Sequence, residues 1–167
     1  MVFRNLERAE DLSRDAMLEG IDWRWETFPE FLDVIDELPK GINYAGYIGH
    51  SALRTYVMGE RAFSDAASED DVRNMQQLVK QAVQAGAIGF STSRTFNHLT
   101  ADDRPVASRI AEWDEVRAIV NAVGETGKGL FEIAGEAPGR DPERIAEYHG
   151  RCLLYTSDAA DDRSWVG

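Results

Sequence analysis

A chain of 167 residues that is 43% hydrophobic and 29% charged has the size and make-up of one globular domain or part of one, which excludes disordered and collagen-like classes. Its formal charge of -12 repels nucleic-acid phosphates and anionic lipid alike, so neither nucleic acid nor a membrane is expected as a partner. The apolar runs fall short of the roughly 20 residues of a membrane span, the first residues lack the apolar stretch of a signal peptide, and the single cysteine, Cys152, excludes an intrachain disulfide and any CxxC motif, so a cytoplasmic protein is expected.

In chain order, Leu6 to Leu18 reads as a short helix, and the aromatic segment Ile21-Asp22-Trp23-Arg24-Trp25-Glu26-Thr27 as irregular. Phe31, Leu32, Val34, Ile35 and Leu38 recur at helical spacing over Glu30 to Leu38, and Pro39-Lys40-Gly41 stops them. Ile42 to Gly49 is rich in β-branched and aromatic residues and is predicted to be a strand. Ser68-Glu69-Asp70-Asp71 offers a hydroxyl cap and acidic first turn for a helix carrying Met75, Leu78, Val79, Ala82 and Val83 on one face. Ala85-Gly86 ends it, and the apolar strand Ala87 to Thr92 runs into the polar loop Ser93-Arg94-Thr95-Phe96-Asn97-His98. The pattern repeats with a helix from Trp113 to Glu125, a turn at Gly127-Lys128-Gly129, the strand Leu130 to Ala134 and a last helix from Pro142 to about Tyr148.

Alternating strands and helices with short connections predict βαβ units in a parallel sheet. Three strands are too few for a closed barrel of eight, so the expectation is a fragment of a (β/α)8 TIM-like barrel over residues 1–151, itself an internal piece of a larger enzyme. Residues 152–167 (Cys152-Leu153-Leu154-Tyr155-Thr156-Ser157-Asp158-Ala159-Ala160-Asp161-Asp162 onward) follow no strand or turn logic. They resemble the translated transposase adapter carried by metagenomic sequencing fragments, and are read as a non-native tail.

In parallel α/β folds chemistry sits at strand carboxyl ends, here His50 to Arg54, Ser91 to His98 and Gly135 to Arg140. Gly49-His50-Ser51-Ala52-Leu53-Arg54 sets a strand end against a helix N-terminus and presents His50, Ser51 and backbone N–H groups to one pocket, an arrangement suited to a carboxylate or phosphate. On spacing alone the alternative is structural: a helix capped by Ser51, with His50 bonded to a neighbouring loop and Arg54 paired with an acid. Ser91 and Ser93 flank the next strand end, but a serine nucleophile needs a base and an orienting acid, and no Gly-x-Ser-x-Gly elbow is present. His98 reads as a surface-loop histidine or a contact to substrate or metal, Asp102-Asp103-Arg104 as a solvated charge cluster, and Trp23 with Trp25 as core aromatics rather than walls of an acyl pocket.

Taken together, Gly49 to Arg54, Val57-Met58 and the helix leading into Ala85-Gly86-Ala87-Ile88-Gly89-Phe90-Ser91-Thr92 resemble the D-aminoacylase-type amidohydrolases, the metal-dependent N-acyl-D-amino-acid deacylases, over roughly residues 20 to 135. The resemblance implies a β/α barrel in which zinc or another divalent metal activates water against an amide carbonyl. It implies a small acylated amino acid as substrate, with His50, Ser51, Arg54, Ser91, Arg94 and His98 as substrate-binding residues. It places the family's His-x-His motif, catalytic aspartate and later histidine outside this chain, so the fragment itself is expected to bind no metal and to be inactive. Where the family carries a Thr-His-x-Arg-[Asp/Glu] ligand motif this chain reads Leu130-Phe131-Glu132-Ile133-Ala134-Gly135-Glu136, which leaves Glu132 and Glu136 as weak metal candidates. Phe96 stands in the loop where relatives often have tyrosine. Two other readings stay open: a barrel with a degenerate metal site and a binding or regulatory role, and a metal-independent α/β barrel enzyme holding an anionic substrate.

Overall fold

The computed structural model describes residues 2–8 and 10–134, together with 142, 143, 145, 146 and 150. Chain contacts divide it into two units, Met1–Ala134 and Gly135–Gly167. In the second, Pro142, Glu143, Ile145, Ala146 and Gly150 are helical. Residues 135–141, with Glu136 and the loop to Arg140, and the tail from Cys152 lie outside the described residues.

The first unit opens with a 3-10 turn, Val2–Asn5, and the helix α1, Arg14–Gly20, capped by the Ser13 hydroxyl. The single helix expected from Leu6 to Leu18 is therefore broken: Asp11 takes a left-handed φ of 52°, and Ser13 restarts the helix by accepting from Ala16 N–H. Helix α2, Phe28–Glu37, carries a full capping box in which Thr27 and Glu30 satisfy each other's backbone N–H groups. Lys40 closes its other end by donating to the carbonyls of Ile35, Asp36 and Leu38.

Strand β1 is Tyr47–Gly49, much shorter than the strand expected from Ile42. Ile42 is 83% exposed, and the register of β1 with its neighbour covers only Tyr47, Ile48 and Gly49. Residues of high strand propensity stay irregular where no partner strand reaches them. Helix α3, His50–Met58, follows without a linker, and a 3-10 turn, Gly59–Phe63, leads to α4, Glu69–Ala85. Ser68 and Asp71 form the predicted cap of α4 as a capping box. After β2, Gly89–Ser93, come the short helix α5, Ala107–Ile110, which the sequence reading did not anticipate, then α6, Trp113–Gly124, and β3, Leu130–Ala134.

The sheet has the order β1-β2-β3 with both pairings parallel. Side chains alternate between its faces. Ile48, Phe90 and Thr92 are buried beneath the helices, as are, in part, Phe131 and Ile133; Leu130, Glu132 and Ala134 on the other face of β3 are exposed. The core joins Phe90 and Ile48 to Met75, Val79, Ala82 and Val83 of α4 and to Val116, Ile119, Ala122 and Val123 of α6, each large apolar side chain contributing about 1.5–3 kcal/mol by leaving water. Gly89 is required at the β2–β3 approach, since a Cβ there would stand 1.9 Å from the Leu130 carbonyl oxygen. Among the described residues no helix is long and apolar enough to cross a membrane.

Candidate functional site at the carboxyl end of the sheet

His50 and Arg54 share one face of α3, four residues apart, and both are sealed from solvent at 1% and 0% exposure. Glu115, in the first turn of α6, lies between them at 5% exposure. His50 Nε2 is 2.8 Å from Glu115 Oε1, Arg54 Nη1 donates to Glu115 Oε2 at 3.3 Å, and Arg54 Nη2 donates to the Asp65 carbonyl at 2.6 Å. On the other side of the imidazole, Nδ1 is 2.8 Å from Thr92 Oγ1 of β2. Arg54 Nε is buried without a partner.

Burial pushes the His50 imidazole below its usual range, and the pull of Glu115 opposes this only in part. A neutral imidazole carries one N–H and one bare nitrogen. An ionised carboxylate only accepts, so the proton sits on Nε2 and donates to Glu115, and the Thr92 hydroxyl donates to Nδ1. Burial also lowers the Arg54 pKa, with Glu115 acting the other way. Arginine keeps its charge in proteins, so the site holds one cation and one anion in direct contact.

Carboxylate, imidazole and hydroxyl in line is also the order of a nucleophilic triad. Thr92 is unsuited to attack, because its side chain faces the helix layer at 5% exposure and it lines neither described cavity. The structural alternative thus describes Arg54, which pairs with an acid, but its other particulars need correction. The cap of α3 is Gly49, with no side-chain hydrogen bond, and His50 bonds a strand and a helix rather than a loop.

The other candidates lie around this network. Ser51 Oγ accepts from Ser108 N–H at 3.0 Å, and Ser108 Oγ donates to the Ser93 carbonyl at 2.8 Å, tying α3, α5 and β2 together. Ser91 is half-buried on the sheet face opposite Thr92, in one row with Gly49 and Glu132. Arg94 donates to the Ala111 carbonyl at 2.6 Å and lies 5.0 Å from the Trp113 ring centroid. His98 Nε2 is bound at 3.3 Å to the Asn5 carbonyl, which fixes the proton on that nitrogen. Asn5 is the hub of the amino-terminal segment: its amide donates to Thr55 Oγ1 at 3.1 Å and accepts from Ala107 N–H at 3.1 Å. Asp102, Asp103 and Arg104 are exposed, as read from the sequence, and the cluster also pairs with this segment: Arg4 with Glu60 and Asp102, and Arg8 with Asp103.

An apolar cavity of about 380 Å³ opens beside β1, lined by Trp23, Trp25, Phe28, Phe31, Tyr47 and Ile48 among others. Trp23 and Trp25 stack at 4.8 Å, and Trp23 is 45% exposed. They wall this cavity rather than filling the core.

Of the six residues expected to meet substrate, His50 and Arg54 come together in the closed network, Ser51 is joined to β2 through Ser108, and Arg94 lies close enough for its charge to act on His50; Ser91 faces the other side of the sheet and His98 is bound to Asn5. Glu115, Thr92 and Asn5 were missed. An acid in a helix first turn and an asparagine near the amino terminus carry no sequence signal beyond ordinary capping and solvation. Among the described residues no group of three or more His, Cys, Asp or Glu could hold an ion, and both His50 nitrogens are engaged; Glu132 is exposed on β3, on the sheet face it shares with Ser91.

No family model matches the chain. An uncharacterized protein of Mycobacterium tuberculosis is 32% identical over 132 residues, 74% of this chain and 22% of that protein. The D-aminoacylase of Alcaligenes xylosoxydans xylosoxydans is 37% identical over 78 residues, 47% of this chain and 16% of the enzyme. Two structures of D-aminoacylase, one defining a novel subset of amidohydrolases and one addressing the role of a binuclear metal centre, each match with a TM-score of 0.59, at 26% and 27% identity, over 80% of this chain and 25% of theirs. The chain thus spans about a sixth to a quarter of the length of these relatives. Its homologues and structural neighbours include the D-aminoacylase-type amidohydrolases, and the chain corresponds to one part of that fold.

Proposed function

We propose that this chain is a segment of a metal-dependent hydrolase that cleaves the linear amide C–N bond of N-acyl amino acids, and that its three parallel strands are consecutive strands of a β/α barrel. The observation that carries this reading is the likeness to D-aminoacylase in both sequence and fold, centred on a sheet whose carboxyl ends gather His50, Ser51, Ser91, Ser93 and Arg94. D-aminoacylase has a binuclear metal centre. A metal in the parent enzyme would take most of its ligands from residues outside those described, with Glu132 the candidate among the described ones.

Within the segment, the roles divide by burial. Ser91 lies on the sheet face turned from the helices and Arg94 follows at the strand end, where the parent would hold the substrate carboxylate and amide. His50 acts from behind that surface through the Thr92 side chain, and Arg54 holds the Glu115 carboxylate that His50 bonds. This division accounts for a fully buried arginine in a motif next to a strand end, where a substrate-facing guanidinium would have to be reachable.

The test is expression of the full-length parent, with bound metal per chain measured alongside hydrolysis of a panel of N-acyl-D- and N-acyl-L-amino acids. Metal at one or two equivalents with chelator-sensitive hydrolysis is the expected result and names the substrate. Absence of both metal and turnover overturns the reading in favour of a binding barrel, and turnover that survives a strong chelator overturns it in favour of a metal-independent enzyme.

A further inference from the structure

We infer that Glu115 is a positioning residue: its carboxylate, anchored by Arg54, fixes the His50 imidazole in the Nε2–H tautomer and through it aligns Thr92 and the carboxyl end of β2. The geometry leaves little choice at each link. Glu115 presents one oxygen to each of its two partners, at 2.8 Å and 3.3 Å. It cannot donate, so Nε2 must. The bare Nδ1 then needs a donor, and the Thr92 hydroxyl at 2.8 Å supplies it.

The consequence lies on the opposite face of the strand. Side chains alternate along β2, so holding Thr92 toward the helices turns Ser91 and Ser93 toward the other side. A second tie acts on the same strand end, since Ser108 donates to the Ser93 carbonyl while its own N–H is held by Ser51, the neighbour of His50. The backbone then continues into Arg94, whose N–H donates to the Ala134 carbonyl at 3.0 Å. A buried ion pair is a poor device for stability, because desolvation offsets its attraction, whereas its directional demands specify one arrangement of the elements that carry it. Three elements, α3, β2 and α6, are locked in register by this one carboxylate. That the aligned strand end serves catalysis rests on the deacylase reading; the alignment itself does not.

The experiment is imidazole 15N NMR and amide exchange on the full chain, with the three histidines assigned by substitution. The expected His50 signature at neutral pH is a single tautomer protonated at Nε2, and Glu115→Gln is expected to lose that single state. Thr92→Val is expected to speed amide exchange at Ser93 and Arg94 by about fivefold or more, the scale of one hydrogen bond, and Thr92→Ser to restore it to within about twofold. A wild-type His50 protonated at Nδ1, or present as a mixture of tautomers, overturns the inference, as does Thr92→Val with unchanged exchange. The Thr92 pair decides the matter even where Glu115→Gln does not fold. Because no readout depends on turnover, failure of the deacylase reading leaves these results standing.

Discussion

Both oxygens of the Glu115 carboxylate are occupied by α3, and each partner would be left stranded by its loss. Arg54→Met removes the buried cation while nearly preserving its volume, and is expected to cost about 3–5 kcal/mol because Glu115 remains charged and half-paired. The double variant Arg54→Met with Glu115→Met is expected to recover part of that loss, which urea unfolding of the two proteins would measure. Gly89→Ala is expected to be at least as damaging, above about 3 kcal/mol, since its Cβ would meet Leu130 backbone atoms at 1.9 to 2.7 Å. At this scale the sequence was half readable. The pairing of Arg54 with an acid stood in the sequence only as the alternative to a substrate contact, and nothing marked Glu115 as that acid. It sits beside Asp114 and Glu112 in a first turn where acidic residues ordinarily serve the helix dipole in solvent. Choosing among three neighbouring carboxylates requires knowing which face of α6 meets α3, and that is a tertiary fact.

Among the elements, α4 was the most legible because local and global signals agree there. Its hydroxyl cap, acidic first turn, apolar stripe and terminal glycine all predict one helix. The boundaries of β3 were legible for the same reason, bracketed by the Gly127-Lys128-Gly129 turn. Strand β1 was overextended because propensity reports suitability for a sheet while pairing decides membership, and only Tyr47 to Gly49 find a neighbour. The two capping boxes make a contrast that can be measured. Ser68→Ala removes the cap of a helix bearing Met75, Val79, Ala82 and Val83 in the core, so it is expected to lower global stability by about 1 kcal/mol in urea unfolding. Thr27→Ala removes the equivalent bond from α2, which buries no residue fully. Its expected effect is faster amide exchange confined to Phe28–Glu37, with the urea midpoint nearly unchanged.

For the molecule as a whole, the buried histidine predicts acid sensitivity. His50 titrates below its ordinary value of 6.5 when folded, so as pH falls through about 6.5 the unfolded chain gains a proton that the folded chain refuses. Stability is therefore full above that value and declines below it, until the folded pKa is passed. Asp71, drawn down from 3.8 to about 2 chiefly by its hydrogen bond with Arg61, adds a second loss between those two values as its carboxylate is protonated. Urea midpoints at about pH 7.5 and about pH 5 are expected to differ in the parent chain, and the difference to shrink in His50→Gln. The same network bears on how the chain is assembled. His50 and Glu115 are 65 residues apart in sequence, so during synthesis β1 and α3 emerge long before the acid that completes them. Until α6 arrives, the guanidinium has only the Asp65 carbonyl and the imidazole only Thr92 as protein partners, and water must satisfy the rest, which keeps the underside of α3 wet. Closure of α6 then expels that water and settles both groups in one event, so the late element acts as the checkpoint for the early ones.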